Sequence, residues 1–297
     1  MWNKLENKMI KIAFIGCDST HTEAYAKLFN FTDSPFYGKA EVYSIFGEDK
    51  EQLKLKANKL KIPIISESIN SALNNVDFAM VIGRFGESHF EPAMMALKNK
   101  IPVFVDKPFT IDINQAIKLK DVSEKSNVKL CSSSPLRFAK EVLKFKKYIE
   151  NNYEKLISVN VTVPANCTDL GPDPRLNNSF FYGIHGVEVL LELIGYDFKK
   201  IDYNFFDSQI KVILTTFDNK QHTLSLINDV SEIYWIDIHT TFESFRVNID
   251  LNETYYEGVA NFLINDFIEG KKTIELKSTL TAISILDQIE KNKPKIK

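Results

Sequence analysis

A lysine and a histidine stand in sequence contexts that suit acid–base chemistry. Lys107 lies in the triplet Asp106-Lys107-Pro108, directly after the apolar run Val103–Val105. At the C-terminal end of a parallel strand, such a lysine faces the ligand crevice of a doubly wound sheet. Its ammonium can bind a substrate hydroxyl or stabilise a developing alkoxide. The alternative interpretation of the triplet, taken alone, is a surface turn.

His185 lies near the start of a predicted apolar helix, Gly183–Ile194. Imidazole titrates near neutral pH, so His185 is a candidate general acid or base toward a hydroxyl. Glu188 follows one helical turn later on the same face, where it is predicted to orient the imidazole. The alternative is a purely structural histidine on an apolar helix.

The segment KIAFIGCDSTH, residues 11–21, ends an apolar run at Gly16 and continues into a helical pattern. A dinucleotide-binding turn has the pattern G-x-G-x-x-G, and Asp18 and His21 occupy its second and third glycine positions. A helix N-terminus suits a pyrophosphate, and hydroxyl groups can add contacts. The candidate cofactor-binding residues of the turn are Gly16, Cys17, Asp18, Ser19, Thr20 and His21. Alternatively, Asp18, Ser19 or Thr20 only caps the helix.

An acidic residue after the second strand of such a fold accepts the ribose hydroxyls. The second apolar run, Glu41–Phe46, leads to Glu48, the first candidate, and Asp49, the second. The alternative is that both acids only begin the next helix. No arginine stands there to receive a 2′-phosphate, which favours NAD over NADP.

Short apolar runs alternate with helical patterns across the first 130 residues. The predicted strands are Ile10–Ile15, Glu41–Phe46, Pro63–Ile65, Phe78–Ile82, Val103–Val105 and Val128–Cys131. The predicted helices are Thr22–Phe31, Lys50–Leu60, Glu87–Asn99 and Ile113–Lys125. This alternation predicts an α/β fold with a doubly wound parallel sheet, the Rossmann arrangement.

After about residue 135 the predicted strands follow one another closely. They are Ile157–Val163, Lys200–Phe206, Gln209–Thr216, Gln221–Asn228, Tyr234–Thr241 and Phe242–Ile249. The helices predicted here are Arg137–Tyr148, Gly183–Ile194, Tyr255–Glu269 and Ser278–Lys291. We therefore predict an NAD(P)-binding Rossmann domain over residues 1–134 and an α+β domain over 135–297, with an open and mainly antiparallel sheet.

Composition excludes several function classes. The 297 residues carry a net charge of -2, which argues against a nucleic-acid-binding protein. No apolar run approaches the roughly 20 residues of a membrane span, and the N-terminus lacks the apolar stretch of a signal peptide. Three distant cysteines form no disulfide framework, which favours a reduced, cytoplasmic setting, and no metal-ligand spacing is present.

The stretch VDFAMVIGRFGESHFEPAMMALKNKIPVFVDKPFT, residues 76–110, resembles the Gfo/Idh/MocA oxidoreductases. The resemblance is carried by His89, Ala96-Leu97, Pro102-Val103 and Asp106-Lys107-Pro108. The family's usual triplet is Glu-Lys-Pro, so Asp106 is a variant. Arg137-Phe138 and the closing segment 259–291 extend the likeness over nearly the whole chain.

This resemblance implies that Lys107 reaches the nicotinamide and the substrate. Gly83, Arg84, His89 and Asp106 join the predicted cofactor-binding residues, although His89 is expected to cap or pack rather than catalyse. Arg84 occupies a loop in which the family usually shows Thr-Pro. It is a candidate contact for a phosphate or an acidic substrate group, or else a solvated surface residue.

The stretch FFYGIHGVEVLLELIG, residues 180–195, is similar to the family pattern D-x-G-x-H-x-x-D. Gly183, His185 and Glu188 match it, whereas Phe181 replaces the first Asp. In the family, that Asp and the His surround the reacting carbon together with the Lys. A turn-rich loop before this helix, residues 166–175, offers Asp169, Asp173 and Arg175 as candidate substrate contacts or as an ordinary polar surface.

The resemblance implies an NAD(P)-dependent dehydrogenase acting on a sugar, cyclitol or nucleotide-sugar, and a homodimer or homotetramer formed through the C-terminal sheet. One alternative is a non-redox binding or regulatory protein of the same fold, which would explain Asp18, His21 and Phe181 together. Another is an elimination or hydrolysis reaction with a retained nicotinamide.

Overall fold

The computed structural model describes residues 9–166, 173–230, 233–252 and 254–294. The chain divides into two compact units. The first contains the chain through Thr110 together with Asn114–Ser132 and Tyr256–Leu276, and the second contains Ile111–Ile113, Ser133–Tyr255 and the chain from Lys277 onward.

The first unit is built on a six-stranded sheet in the order β3-β2-β1-β4-β5-β6. Its strands are β1 (Ile10–Ile15), β2 (Ala40–Phe46), β3 (Ile64–Ile65), β4 (Phe78–Val81), β5 (Val103–Asp106) and β6 (Leu130–Ser133). β1 pairs in parallel with β2 and β4, β2 with β3, and β4 with β5. The strand order reverses between β1 and β4, and such a reversal opens the ligand crevice of a doubly wound sheet.

Helices alternate with these strands, as the periodicity predicts. They are α1 (Thr20–Asn30), α2 (Lys50–Lys59), α3 (Ile69–Ala72), α4 (Phe90–Lys98) and α5 (Ile113–Ser126). The four residues of β4 and of β5 are all buried, which explains why β4 and the first three residues of β5 are apolar rather than alternating. The predicted α/β fold class is confirmed.

Helix α3 was not predicted, because its four residues are too few to show a helical period. A local signal was present. Ser68 and Ser71 form a reciprocal capping box, in which each side chain bonds the other residue's backbone.

The second unit is built on a six-stranded sheet in the order β12-β11-β7-β10-β9-β8. The strands are β7 (Leu156–Pro164), β8 (Lys200–Phe205), β9 (Gln209–Thr215), β10 (Gln221–Ile227), β11 (Trp235–Thr240) and β12 (Ser244–Asn248). Every pair is antiparallel except β7 with β10, which confirms the predicted mainly antiparallel sheet. The other elements are α6 (Lys140–Asn152), α7 (Gly183–Ile194) and the greater part of α9 (Leu276–Asn292).

The two faces of this sheet differ in polarity. One face carries the buried apolar residues of β7, β9, β10 and β11. On the other face, Asn160 of β7 pairs with Thr223 of β10 and Asp237 of β11, and all three are half-buried. A surface that joins subunits through this face would therefore be largely polar.

The segment Tyr256–Leu276 contains most of α8 (Thr254–Phe262) and a π-helical turn, Leu263–Phe267. The predicted boundary placed this segment in the C-terminal domain, but it groups with the first unit. Lys129 Nζ donates to the Phe267 and Ile268 carbonyls at 3.0 and 2.7 Å, and the Phe267 ring packs edge-on against Phe78. Local helical periodicity carries no information about such distant contacts.

His222 gives the fold a defined acid sensitivity. Its buried ring accepts a hydrogen bond at Nδ1 from the Val159 N–H at 3.0 Å, and burial lowers the pKa of His222 to about 4. Between pH 6.5 and 4 the unfolded chain binds the proton and the folded chain does not, so stability falls as pH falls. We expect His222 to account for about 3 kcal/mol of lost unfolding free energy at pH 4.

Urea unfolding at pH 7 and pH 4 measures this loss. His222→Leu, which cannot bind a proton, should be less stable at pH 7 and should lose less stability on acidification. Equal losses in the two proteins would contradict the assignment to His222.

Among the described helices, none combines the length and the apolar character that crossing a lipid bilayer requires.

Candidate active site

The turn after β1 touches the loop after β4. Gly16 has a φ of +112°, and a Cβ atom there would stand 2.4 Å from the Gly83 backbone nitrogen. Both the backbone conformation and the close approach therefore require glycine at position 16. This contact lies at the strand-order reversal, where a doubly wound sheet binds its ligand.

The same turn presents free backbone donors. Ser19 caps α1, and its Oγ accepts a hydrogen bond from the His21 N–H at 3.1 Å, so the capping alternative is realised by Ser19. The backbone N–H groups of four residues donate no hydrogen bond within the described part of the chain: Cys17, Asp18, Ser19 and Thr20. Capping and anion binding are thus compatible, and this row of amides at a helix N-terminus fits a pyrophosphate.

Asp18 and Cys17 have structural contacts of their own. The Asp18 carboxylate accepts the backbone N–H of Arg84 at 3.0 Å, which ties the turn to the loop after β4. The Cys17 side chain is buried against Gly47, and burial raises the pKa of its thiol. Only the backbone of Cys17 is therefore suited to the predicted cofactor contact.

The two acids after β2 take different roles. Asp49 caps α2 by accepting the backbone N–H groups of Glu51 and Gln52 at 3.1 and 3.0 Å. Glu48 is exposed and makes no hydrogen bond to any described residue. The helix-start alternative therefore applies to Asp49, and Glu48 remains available to a ribose.

Lys107 begins the loop that leaves β5 through a cis peptide bond to Pro108. Its side chain is 7% exposed. Burial lowers the pKa of Lys107, and the nearby Arg84 guanidinium adds to this, whereas the Asp106 carboxylate opposes it. The amine is thus more easily deprotonated than a surface lysine, as a general base requires.

Asp106 pairs with His21. His21 Nδ1 lies 2.6 Å from Asp106 Oδ2, and the carboxylate is 1% exposed. Burial alone would raise the pKa of Asp106, but His21 and Lys107 outweigh it and hold that pKa below its usual range. His21 was predicted to contact a cofactor. In the structure its ring bonds Asp106, and the cofactor contact stays a prediction.

His89 joins two loops. Its fully buried ring places Nδ1 2.7 Å from the Pro108 carbonyl oxygen and Nε2 2.8 Å from that of Gly83. A neutral imidazole has one N–H, so both carbonyls receive a hydrogen bond when the ring is protonated. Both ring nitrogens of His89 are thus engaged by protein carbonyls, and its predicted cofactor contact stays a prediction. Through His89, the Lys107 loop is anchored to the loop after β4.

In the second unit, His185 lies in the first turn of α7 with 8% exposure. Its Nδ1 is 2.6 Å from the Ser134 hydroxyl oxygen, and its ring lies near Tyr182 and Tyr234 at centroid distances of 6.3 and 6.2 Å. The Ser134 hydroxyl therefore fixes the orientation of the imidazole.

Glu188 does not bond the imidazole, contrary to the prediction. Its Oε2 accepts the Ser134 backbone N–H and the Arg137 Nε–H, each at 2.7 Å. Burial raises the pKa of Glu188, and the Arg137 guanidinium and the Ser134 N–H oppose that rise. Arg137 also donates to Glu192 at 2.7 Å. Glu188 therefore positions His185 indirectly, through Ser134.

Phe181 is buried against Tyr182, with ring centroids 4.9 Å apart. The acid that the family pattern places at this position is therefore replaced by an aromatic contact, and the hydroxyl of Ser134 is what reaches His185. Ser134 was missed as a site residue, and its signal was the Ser132-Ser133-Ser134 run at the end of β6.

The loop predicted before α7 is described in part. Asp173 caps a short 3-10 turn, Pro174–Asn177, and pairs with Arg175, which favours the surface-loop interpretation for both. Asp169 lies outside the described residues. In the described part of the chain, no three His, Cys, Asp or Glu side chains are grouped closely enough to hold a metal ion.

Gly16→Ala is expected to weaken NADH binding about tenfold or more, because the new Cβ must displace the Gly83 backbone from the turn. Gly38→Ala is the matched control, since Gly38 also has a positive φ, +80°, but has open space around its Cβ position. Nicotinamide fluorescence gives both dissociation constants. Equal affinities in the two variants would contradict a role for the Gly16–Gly83 contact.

Comparison with known proteins shows which families and structures this chain is similar to. Residues 10–133 match the Gfo/Idh/MocA family, described as an oxidoreductase family with an NAD-binding Rossmann fold. No protein of curated function matches the sequence.

Solved structures share the fold. The scyllo-inositol dehydrogenase of Lactobacillus casei, solved with NAD(H) and scyllo-inositol, superposes with a TM-score of 0.77 at 14% identity, covering 96% of this chain and 98% of that one. The myo-inositol 2-dehydrogenase of Lactobacillus plantarum gives a TM-score of 0.80 at 13% identity, covering 96% of this chain and 97% of that one.

Proposed function

We propose, from the match of residues 10–133 to the Gfo/Idh/MocA oxidoreductase family, that this chain is a member of that family and an NAD(P)-dependent dehydrogenase. The substrate class is a sugar, cyclitol or nucleotide-sugar whose hydroxyl is oxidised to a carbonyl, or the reverse. The observation that carries the proposal is the close contact of the Gly16 turn with Gly83. On the neighbouring strand β5, the buried Lys107 directly follows the last residue.

The free amides of the Gly16 turn suit the pyrophosphate of the cofactor, and Glu48 suits a ribose diol. An acid at the ribose position favours NAD over NADP. When bound, the nicotinamide accepts or donates a hydride, and the protein contributes positioning and electrostatics.

In the direction of oxidation, Lys107 Nζ accepts the proton of the substrate hydroxyl. In the direction of reduction, the protonated Lys107 stabilises the alkoxide that develops on the carbonyl oxygen. Where Lys107 stays protonated and only polarises the hydroxyl, the imidazole of His185 accepts that proton instead, while Ser134 engages Nδ1. Glu188 and Arg137 keep Ser134 in place.

Two inositol dehydrogenases among the solved structures that share this fold support the proposed substrate class. We also propose a homodimer or homotetramer formed through the half-buried polar face of the second sheet. A cytoplasmic location accords with the widely spaced cysteines, of which Cys17 and Cys131 are free and buried.

The test is a panel of inositols, hexoses and nucleotide-sugars incubated with NAD+ and with NADP+, followed by the absorbance of the reduced nicotinamide. We expect turnover of at least one polyol, with NAD+ preferred.

A non-redox binding protein is the second candidate, favoured by the buried Phe181 in place of an acid. Binding of a polyol and of NADH without any turnover across the panel would support this candidate and contradict the dehydrogenase.

A further inference from the structure

We propose that the His21–Asp106 pair is a positioning device that sets the charge on Lys107. The role of Lys107 in proton transfer rests on the proposed function, but the pairing and its effect on the amine do not. His21 and Asp106 are also two of the residues at which this chain departs from the family's patterns.

The geometry of the pair is well defined. His21 Nδ1 lies 2.6 Å from Asp106 Oδ2, with the two side chains 12% and 1% exposed. A carboxylate only accepts hydrogen bonds, so Nδ1 carries the proton and donates it. The edges of Tyr25 and Tyr256 pack against the His21 ring, at centroid distances of 6.2 and 5.1 Å. These rings restrict the imidazole to the orientation that faces Asp106.

The two departures from the family's patterns meet in this contact. His21 stands at the third glycine position of the nucleotide-binding turn, and Asp106 replaces the usual Glu of the Glu-Lys-Pro triplet. The other carboxylate oxygen, Oδ1, is buried and bonds no described residue. Within the described part of the chain, His21 therefore supplies the only side-chain hydrogen bond to Asp106.

The pair acts on Lys107 through charge. The groups that face Lys107 and Asp106 within this unit are His21 from α1, Arg84 from the loop after β4, and His89 from the start of α4. Asp106 favours the ammonium form of Lys107, and Arg84 disfavours it. The N–H that His21 donates withdraws negative charge from the carboxylate. The hydrogen bond therefore reduces the stabilisation that Asp106 gives to the ammonium form of Lys107, which favours the neutral amine.

Two substitutions should move Lys107 in opposite directions. His21→Asn leaves the carboxylate without its imidazole, so the midpoint of Lys107 titration should rise by about 0.5–1 pH unit. Asp106→Asn removes the charge but keeps the shape, so the midpoint should fall by about 1 pH unit. Glu23→Gln on the same helix, which breaks only an exposed ion pair with Lys59, is the matched control and should change nothing.

The readout is the ¹⁵N chemical shift of Lys107 Nζ as a function of pH, assigned by its loss in Lys107→Arg. This measurement needs no turnover. Opposite shifts in the two variants support the proposal, and a purely structural pair would lower the melting temperature without moving the titration. Unchanged midpoints, or shifts in the same direction, would overturn it.

The proposed function can fail separately, through absent cofactor binding or absent turnover in the wild-type protein. If the protein is active, the acid limb of the pH profile of kcat/KM for oxidation should shift with the titration of Lys107 in each variant.

Discussion

Replacing Lys107 by methionine is expected to lower kcat by about 10²–10⁴-fold, the usual contribution of a positioned acid–base group. Methionine fills the buried volume without the amine, and the buried Asp106 carboxylate keeps its hydrogen bond to His21 when the ammonium is lost. The affinity for NADH should change by no more than a few-fold, because the free amides of the Gly16 turn remain in place. Steady-state kinetics with the best polyol, together with NADH fluorescence, measures both quantities.

Lys98→Met is the control for this substitution. Lys98 lies exposed in the last turn of α4, within the same unit, and its replacement should leave kcat unchanged. If Lys107→Met retained more than about a tenth of wild-type kcat while binding NADH normally, Lys107 would not be the acid–base residue.

Replacing His185 by glutamine is expected to lower kcat by about 10²–10³-fold, with little change in NADH affinity. Glutamine can still reach the Ser134 hydroxyl, but it cannot exchange a proton near neutral pH. Ser134→Ala, which removes the group that holds Nδ1, should cost less, about tenfold, and should alter the pH profile of kcat. Ser134→Thr keeps a hydroxyl and should recover part of that loss.

His239→Gln serves as the control for His185. His239 is half-buried on β11 and bonds the Ser244 hydroxyl at 3.0 Å, so its ring resembles that of His185 in bonding a serine. Its replacement should leave kcat intact. Loss of activity in both variants would indicate a general effect on folding of the second unit, and retained activity in His185→Gln would contradict a catalytic role.

Local sequence pattern predicted much of the fold because each element carries its own signal. The strand β4 is a continuous apolar run, and β1 and β5 depart from one only at Lys11 and Asp106. Helix α7 begins and ends at the residues its pattern indicated, Gly183 and Ile194. Elements whose neighbours are distant in sequence were harder to place. The segment Tyr256–Leu276 reads as helical but gives no sign that it packs with the first unit.

The sequence suggested candidate residue types for the site but not their pairings. Lys107 and His185 were chosen as candidates because strand ends and helix starts are recognisable positions, and their catalytic roles stay predictions. The hydrogen bonds around these candidates join residues 85 apart in the His21–Asp106 pair, beside Lys107, and 51 apart in the Ser134–His185 pair. The helical spacing suggested that Glu188 would orient His185. In the folded chain, its carboxylate instead accepts hydrogen bonds from Arg137 Nε and from the Ser134 N–H.

Titration of the purified protein with NADH and NADPH, followed by nicotinamide fluorescence, tests the central claim most directly. The account predicts micromolar binding of NADH, weaker binding of NADPH, and a marked loss of affinity in Gly16→Ala but not in Gly38→Ala. No binding of either nucleotide up to millimolar concentration, with none released from the protein on denaturation, would contradict it.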